Sequence, residues 1–250
     1  MVDERSERYL SSLAARHLQD LKFAEVTRSL RALSAGYVEK RDEGGLDRAL
    51  DGRGKKAAFA LYYGALHFAA TRRIVRDLNL RIDDARSGGI LDLGCGTGVC
   101  GAAWAIESGR RGPVCGVDRS PFARHEAAWT YRALGLDGET RSSIAEALTR
   151  FERPAAVVLG FALNELDERQ RAEISAYCAR ARTRGARLLV IEPISKRIAP
   201  WWTEWIAPFV AAGARSTETR VHLELPQKVA LLGRSAGLKP DSIAVRVMAS

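Results

Sequence analysis

Residues 90–98 read Ile90-Leu91-Asp92-Leu93-Gly94-Cys95-Gly96-Thr97-Gly98. An apolar run enters a turn with glycine at every second position, and small residues follow from Val99 to about Ser108. The pattern predicts a buried strand, a tight turn and a helix, the frame of a nucleotide cradle. Glycine permits torsions and a closeness of approach that a Cβ forbids.

Two cofactor classes use such a frame. Gly96-x-Gly98-x-x-Gly101 formally satisfies the dinucleotide fingerprint, with Asp118 at a suitable distance for a ribose. Asp92, however, stands two residues before the first glycine, and a carboxylate beside the turn repels a pyrophosphate. The same carboxylate suits S-adenosylmethionine, which carries a sulfonium and an ammonium and no phosphate, so charge complementarity favours that cofactor. A second acid agrees: Pro113-Val114-Cys115-Gly116-Val117-Asp118 reads as the next strand, and its terminal acid can accept both ribose hydroxyls.

These residues resemble the class I S-adenosylmethionine-dependent methyltransferases. Their first motif, acid-x-Gly-x-Gly-x-Gly, is matched by Asp92, Gly94, Gly96 and Gly98, and their acid ending the second strand by Asp118. The resemblance implies a doubly wound, Rossmann-like, mostly parallel α/β sheet. It also implies a cofactor site built from Asp92, Gly94, Cys95, Gly96, Gly98, Asp118 and Arg119. Ser143 and Ile144 after strand three, and Phe161 after strand four, complete that site.

Working outward, 250 residues can bury one good-sized core with a small accessory region. Hydrophobic content of 46% and charged content of 28% are those of a globular chain. No apolar run reaches the roughly 18 residues of a membrane span, and the charged start, Met1 to Arg8, does not read as a signal peptide. Four cysteines without a C-x-x-C pair read as reduced thiols of a cytoplasmic protein, with no metal site. The net charge of +9 raises nucleic acid as a partner, but both halves are similarly basic, as genome composition alone can produce.

Helical periodicity covers 3–40 and 57–80, with loops at Gly44-Gly45 and 51–54 and a polar linker at 83–89. This predicts a helical cap over residues 1–85 and a cofactor-binding domain over 86–250. Within the latter, strands are expected at 90–93, 113–118, 139–144, 155–161, 186–191, 220–225 and 242–248, and helices at 121–134, 167–183, 200–211 and 226–236.

Methyl transfer requires alignment of a nucleophile and removal of its proton. Candidates therefore stand at carboxyl ends of strands. Asn164 and Glu165, in Phe161-Ala162-Leu163-Asn164-Glu165-Leu166, are the catalytic candidates; they equally fit a helix cap and its first-turn acid. Glu192 ends strand five and either faces the site or pairs with an arginine. Beyond Ser195-Lys196-Arg197, Trp201, Trp202 and Trp205 either wall an acceptor pocket or pack a helix on the sheet. Tyr62, Tyr63 and His67 lie on the helix before the sheet domain and are further acceptor-contact candidates.

A narrower resemblance rests on Leu33-Ser34-x-x-Tyr37, the 57–80 helix, Ala102-Ala103-Trp104-Ala105, Leu163-Asn164-Glu165-Leu166 and Ile191-Glu192-Pro193. Together, over about residues 28–195, these are similar to the ribosomal small-subunit-associated methyltransferase-like family. That family carries a cysteine cluster after strand five; this chain has no cysteine beyond Cys178, so no metal is implied. Two functions follow as expectations: methyl transfer to a small-molecule or peptide acceptor under the helical cap, or a ribosome- or rRNA-associated assembly role.

Overall fold

The computed structural model describes residues 4–39, 50–82, 88–110, 112–148, 151–194 and 199–250. The expected loop at 44–45, most of the linker at 83–89 and the segment Ser195–Arg197 lie outside them. The chain divides into two units, one of Met1–Ala70 with His222–Ile243 and one of Thr71–Val221 with Ala244–Ser250. The sequence pattern draws a single boundary, at residue 85.

The first unit is helical. Helix α1 (Glu4–Leu18) buries Tyr9, Leu10, Leu13 and Ala14 along one stripe, and Tyr9 meets Phe68 with ring centroids 5.2 Å apart. Helix α2 (Phe23–Glu39) runs so close to α3 (Arg53–Ala58) that a Cβ at Gly54 would overlap the Ser29 hydroxyl. Helix α3 continues through a π-helical turn, Phe59–Gly64, into α4 (Ala65–Asp77). A late helix, numbered α10 below (Gln227–Ser235), returns to this unit, and its Gly233 packs on the Tyr62 ring.

The second unit is a seven-stranded sheet in the order β3-β2-β1-β4-β5-β7-β6. Its strands are β1 (Ile90–Leu93), β2 (Val114–Val117), β3 (Gly138–Arg141), β4 (Ala156–Gly160), β5 (Arg187–Pro193), β6 (Arg215–His222) and β7 (Ser242–Ala249). Pairings β3–β2, β2–β1, β1–β4 and β4–β5 are parallel, and β7 lies antiparallel on β5. Strands β1 and β2 are short, apolar and buried throughout, as parallel strands covered on both faces must be. Between them and their neighbours run α5 (Val99–Glu107), α6 (Pro121–Ala133), α7 (Ile144–Leu148), α8 (Glu168–Thr183) and α9 (Trp202–Ala211). This is the doubly wound, mostly parallel α/β sheet that the sequence predicts.

One strand differs. The expectation at 220–225 follows the alternation of Val221 and Leu223, which are both buried. The strand instead occupies 215–222, six of whose residues are exposed in a row, and past His222 the chain joins the helical unit, where Leu223 N–H donates to Asp241 O at 3.0 Å.

The strand order reverses between β1 and β4. At such a reversal the loops leaving the carboxyl ends diverge and open a crevice. The loops after β1 and β4 therefore frame the candidate site.

Candidate active site

The loop after β1 places Gly94, Gly96 and Gly98 at φ of +67°, +51° and +75°. A side chain at any of them is strained. Their tasks differ. Gly98 is buried, and a Cβ there would stand 2.8 Å from Ala127 Cβ and 2.9 Å from the Tyr131 ring, so it serves the seating of α5 against α6. Gly94 is exposed, and its missing Cβ would lie 2.6 Å from Ala162 Cβ, so the turn after β1 adjoins the loop after β4. Gly101 packs against Asp92 at 3.0 Å, which explains the third glycine of the dinucleotide-like spacing as helix–strand packing.

Five N–H groups of this segment have partners within the protein. Gly94 and Cys95 donate to Val117 O at 2.8 and 3.0 Å, and Gly98 donates to Cys95 O at 2.7 Å. Gly96 donates to Asp118 Oδ2 at 3.0 Å and Gly101 to Asp92 Oδ2 at 2.8 Å. Five donors of this segment are thus engaged within the protein, two of them by carboxylates. What remains is acidic. Asp92 is buried, its Oδ1 has no partner among the described residues, and its pKa is pushed up to about 7 by desolvation, opposed by the Gly101 N–H and reinforced by Asp118. A cation bound beside Asp92 favours its ionised form and a phosphate opposes it, so the pair of acids selects a cationic ligand. The site fits S-adenosylmethionine, and Asp118 stands at the carboxyl end of β2.

Asp118 is held by its surroundings. Its Oδ1 accepts from Ser120 N–H at 2.9 Å, and Arg124 Nη1 donates to Asp118 O at 2.7 Å and to Arg119 O at 2.8 Å. The Arg119 side chain is exposed. Ser120 caps α6, with Pro121 in its first turn, a helix-start signature present in the sequence. Cys95 is buried, and burial pushes its thiol far above its usual range. Ser143 accepts from Glu146 N–H at 3.3 Å and so caps α7, which Ile144 begins.

Beyond β4, Phe161 adopts φ +61°, a strained value for a residue with a side chain. Its N–H donates to Ile191 O at 2.7 Å. A single 3-10 turn, Leu163–Glu165, follows, and α8 then starts at its own capping box, Asp167 with Gln170. Asn164 and Glu165 are therefore not the cap and first-turn acid of α8; they stand in the turn before it, both part-exposed.

Glu192 is fully buried at 0% exposure. Its Oε1 accepts from Leu163 N–H at 2.8 Å and its Oε2 from Asn164 Nδ2 at 2.6 Å. It ties down the post-β4 loop. Arg246, its cross-strand neighbour on β7, is directed elsewhere: its guanidinium lies 5.5 Å from the Trp202 ring centroid and 3.6 Å from Glu218 Oε1.

The tryptophans divide as well. Trp202 and Trp205 lie in the apolar cluster with Tyr177, Leu188, Val190 and Phe209, and Trp205 Nε1 donates to Arg171 O at 3.0 Å. Trp202 is 4% exposed, so it takes the packing alternative rather than walling a pocket. Trp201 is part-exposed under the Arg171 guanidinium, 4.8 Å from its centroid.

Tyr62, Tyr63 and His67 belong to the helical unit. Tyr62 and Tyr63 lie in the π turn, a T-shaped pair 5.3 Å apart, and His67 is 5.9 Å from Tyr63. Burial lowers His67 to about 3, so the imidazole is neutral at physiological pH. Among the described residues no group of His, Cys, Asp and Glu could hold a metal ion, and no helix is long and apolar enough to cross a membrane.

Residues 90–185 match a family model described as a methyltransferase domain. No curated protein matches the chain. Among solved structures, the plantazolicin methyltransferase BpumL in complex with S-adenosylhomocysteine is 10% identical, with a TM-score of 0.50 over 91% of this chain and 96% of its own. A cyclopropane-fatty-acyl-phospholipid synthase-like protein from Lactobacillus casei is 17% identical, with a TM-score of 0.48 over 77% of this chain and 93% of its own. An S-adenosylmethionine-dependent methyltransferase from Thiobacillus denitrificans is 14% identical, with a TM-score of 0.46 over 73% and 91%. None of these concerns a ribosome-associated protein, and the narrower resemblance finds no support. The domain match, the strand order and the acidic glycine loop make the chain an S-adenosylmethionine-dependent methyltransferase with S-adenosylmethionine as its cofactor.

Proposed function

We propose that this methyltransferase acts on a small-molecule or peptide acceptor, with Asn164 and Glu165 at the reacting end of the site. The observation that carries the reading is the approach of Gly94 to Ala162, which sets the 161–165 loop against the cofactor turn. When bound, S-adenosylmethionine supplies an activated methyl with its own leaving group. The chain's share is to hold and orient. Asp118 holds the ribose, Gly94 and Gly96 admit close backbone approach, and Asp92 gives up its proton beside a bound cation and then pairs with it. Asn164 aligns the acceptor, and Glu165, part-exposed on the same turn, takes the acceptor's proton. The likeness to BpumL, which extends over 91% of this chain, adds that a methyltransferase acting on plantazolicin shares this fold beyond the matched domain.

The test supplies methyl-tritiated S-adenosylmethionine together with the low-mass, peptide and ribosomal RNA fractions of a bacterial extract. Label is expected in the low-mass or peptide fraction. Label confined to RNA, with RNA binding that falls steeply as salt rises, would overturn the reading and favour the ribosome-associated alternative.

A further inference from the structure

The Glu192–Asn164 contact fixes more than a side-chain position. A side-chain amide has one end that donates and one that accepts, and its environment decides which end faces outward. Both oxygens of Glu192 receive donors: the Leu163 N–H at 2.8 Å and an Asn164 amide N–H at 2.6 Å. The Leu163 N–H can only donate. The same Asn164 nitrogen reaches Phe161 O at 3.2 Å. Two acceptors therefore hold the NH2 end, and turning the amide over would set oxygen against both. Asn164 Oδ1 is left pointing away from them, buried and without a partner among the described residues.

We propose that Glu192 is a positioning residue that orients the Asn164 amide so that the post-β4 loop presents a hydrogen-bond acceptor. The group bound there is then a donor, an amine, amide or hydroxyl that still carries its hydrogen when it meets Asn164. This deepens the proposed function and rests on it for the identity of that group as the methyl acceptor. Glu192 touches no reacting atom; it acts through Asn164 and, by holding Leu163, through the strained turn at Phe161.

The chain contains only two asparagines, Asn79 and Asn164. Selective 15N-asparagine labelling of the full chain therefore gives two side-chain amide pairs, with Asn79 as internal reference and N164D to assign them. In the wild type, the Asn164 pair is expected to exchange with deuterium at least tenfold more slowly than that of Asn79. In E192Q the Leu163 N–H keeps the oxygen of the introduced amide facing it, so the introduced NH2 faces Asn164 and turns the Asn164 amide over. The exchange difference should then fall to within twofold. Transfer of tritium from labelled S-adenosylmethionine to the low-mass and peptide fractions should drop at least tenfold in E192Q. It should recover to within fivefold of wild type in E192Q/N164D, where one oxygen of the introduced carboxylate accepts from the introduced amide and the other faces outward. Titration with S-adenosylhomocysteine should give the same affinity, within threefold, in wild type and E192Q. Equal exchange of the two pairs in wild type, or protection that survives E192Q, would overturn the proposal whatever the transfer assay shows. Protection as expected without label in either fraction leaves the positioning standing and rejects the acceptor class.

Discussion

Asp92 should make the stability of this protein depend on pH in a direction opposite to that of an ordinary paired carboxylate. It is buried, and desolvation raises its pKa from 3.8 to about 7, against the Gly101 N–H bond and with added repulsion from Asp118. The folded state keeps a proton that the unfolded chain releases above about pH 4. The stability this group confers is complete below pH 4 and is lost as pH rises through 7. At about 1.4 kcal/mol per pH unit, the span from 3.8 to about 7 corresponds to roughly 4 kcal/mol. Asp92→Asn keeps an oxygen for the Gly101 N–H and cannot ionise. The two proteins should therefore be similar in stability at pH 4, and the variant should gain steadily to an advantage of roughly 2–4 kcal/mol at pH 8. Urea unfolding of both proteins at several pH values measures this, and other titrating groups cancel in the difference. A difference that varies by less than about 1 kcal/mol between pH 4 and pH 8 would show that Asp92 is ionised throughout and that its burial is compensated by interactions beyond Gly101.

Two further substitutions probe the cradle. Asp118→Ala removes the ribose partner and should weaken S-adenosylhomocysteine binding by about 1.5–3 kcal/mol, roughly tenfold or more, by calorimetry; affinity within threefold of wild type would place the ribose elsewhere. Gly94→Ala puts a Cβ 2.6 Å from Ala162 Cβ at φ +67°. It should lower stability by roughly 1–3 kcal/mol and weaken the same binding; an unchanged melting temperature would mean that the two loops are not in contact.

The central sheet is legible in the sequence because its signals are local. Ile90–Leu93 and Val114–Val117 are apolar runs closed by acid or glycine, and parallel strands buried on both faces produce just that. Strand β6 starts five residues before its expected place because Arg215–Arg220 is polar and exposed on both sides, leaving no alternation to read. The tryptophan segment shows a different limit. Rings spaced along a helix look alike in sequence whether they line a cavity or a core, and only the meeting of α9 with α8 and β5 decides for Trp202 and Trp205. The π turn at Phe59–Gly64 has no sequence signature, since a register shift of one backbone bond needs no particular side chain.

The acids at strand ends are found by position, yet position alone does not disclose their work. Asp92, Asp118 and Glu192 each accept a backbone N–H, from Gly101, from Gly96 and Ser120, and from Leu163. Each therefore shapes a loop. The bond between Glu192 and Asn164 joins residues 28 apart in sequence. It exists because β4 and β5 are parallel neighbours whose carboxyl ends finish side by side, with Gly160 opposite Ile191. A parallel sheet converts distant polar residues at equivalent strand ends into contacts. The acids beside the glycine turn thereby set which backbone donors remain for a ligand: Asp118 takes that of Gly96 and Asp92 that of Gly101.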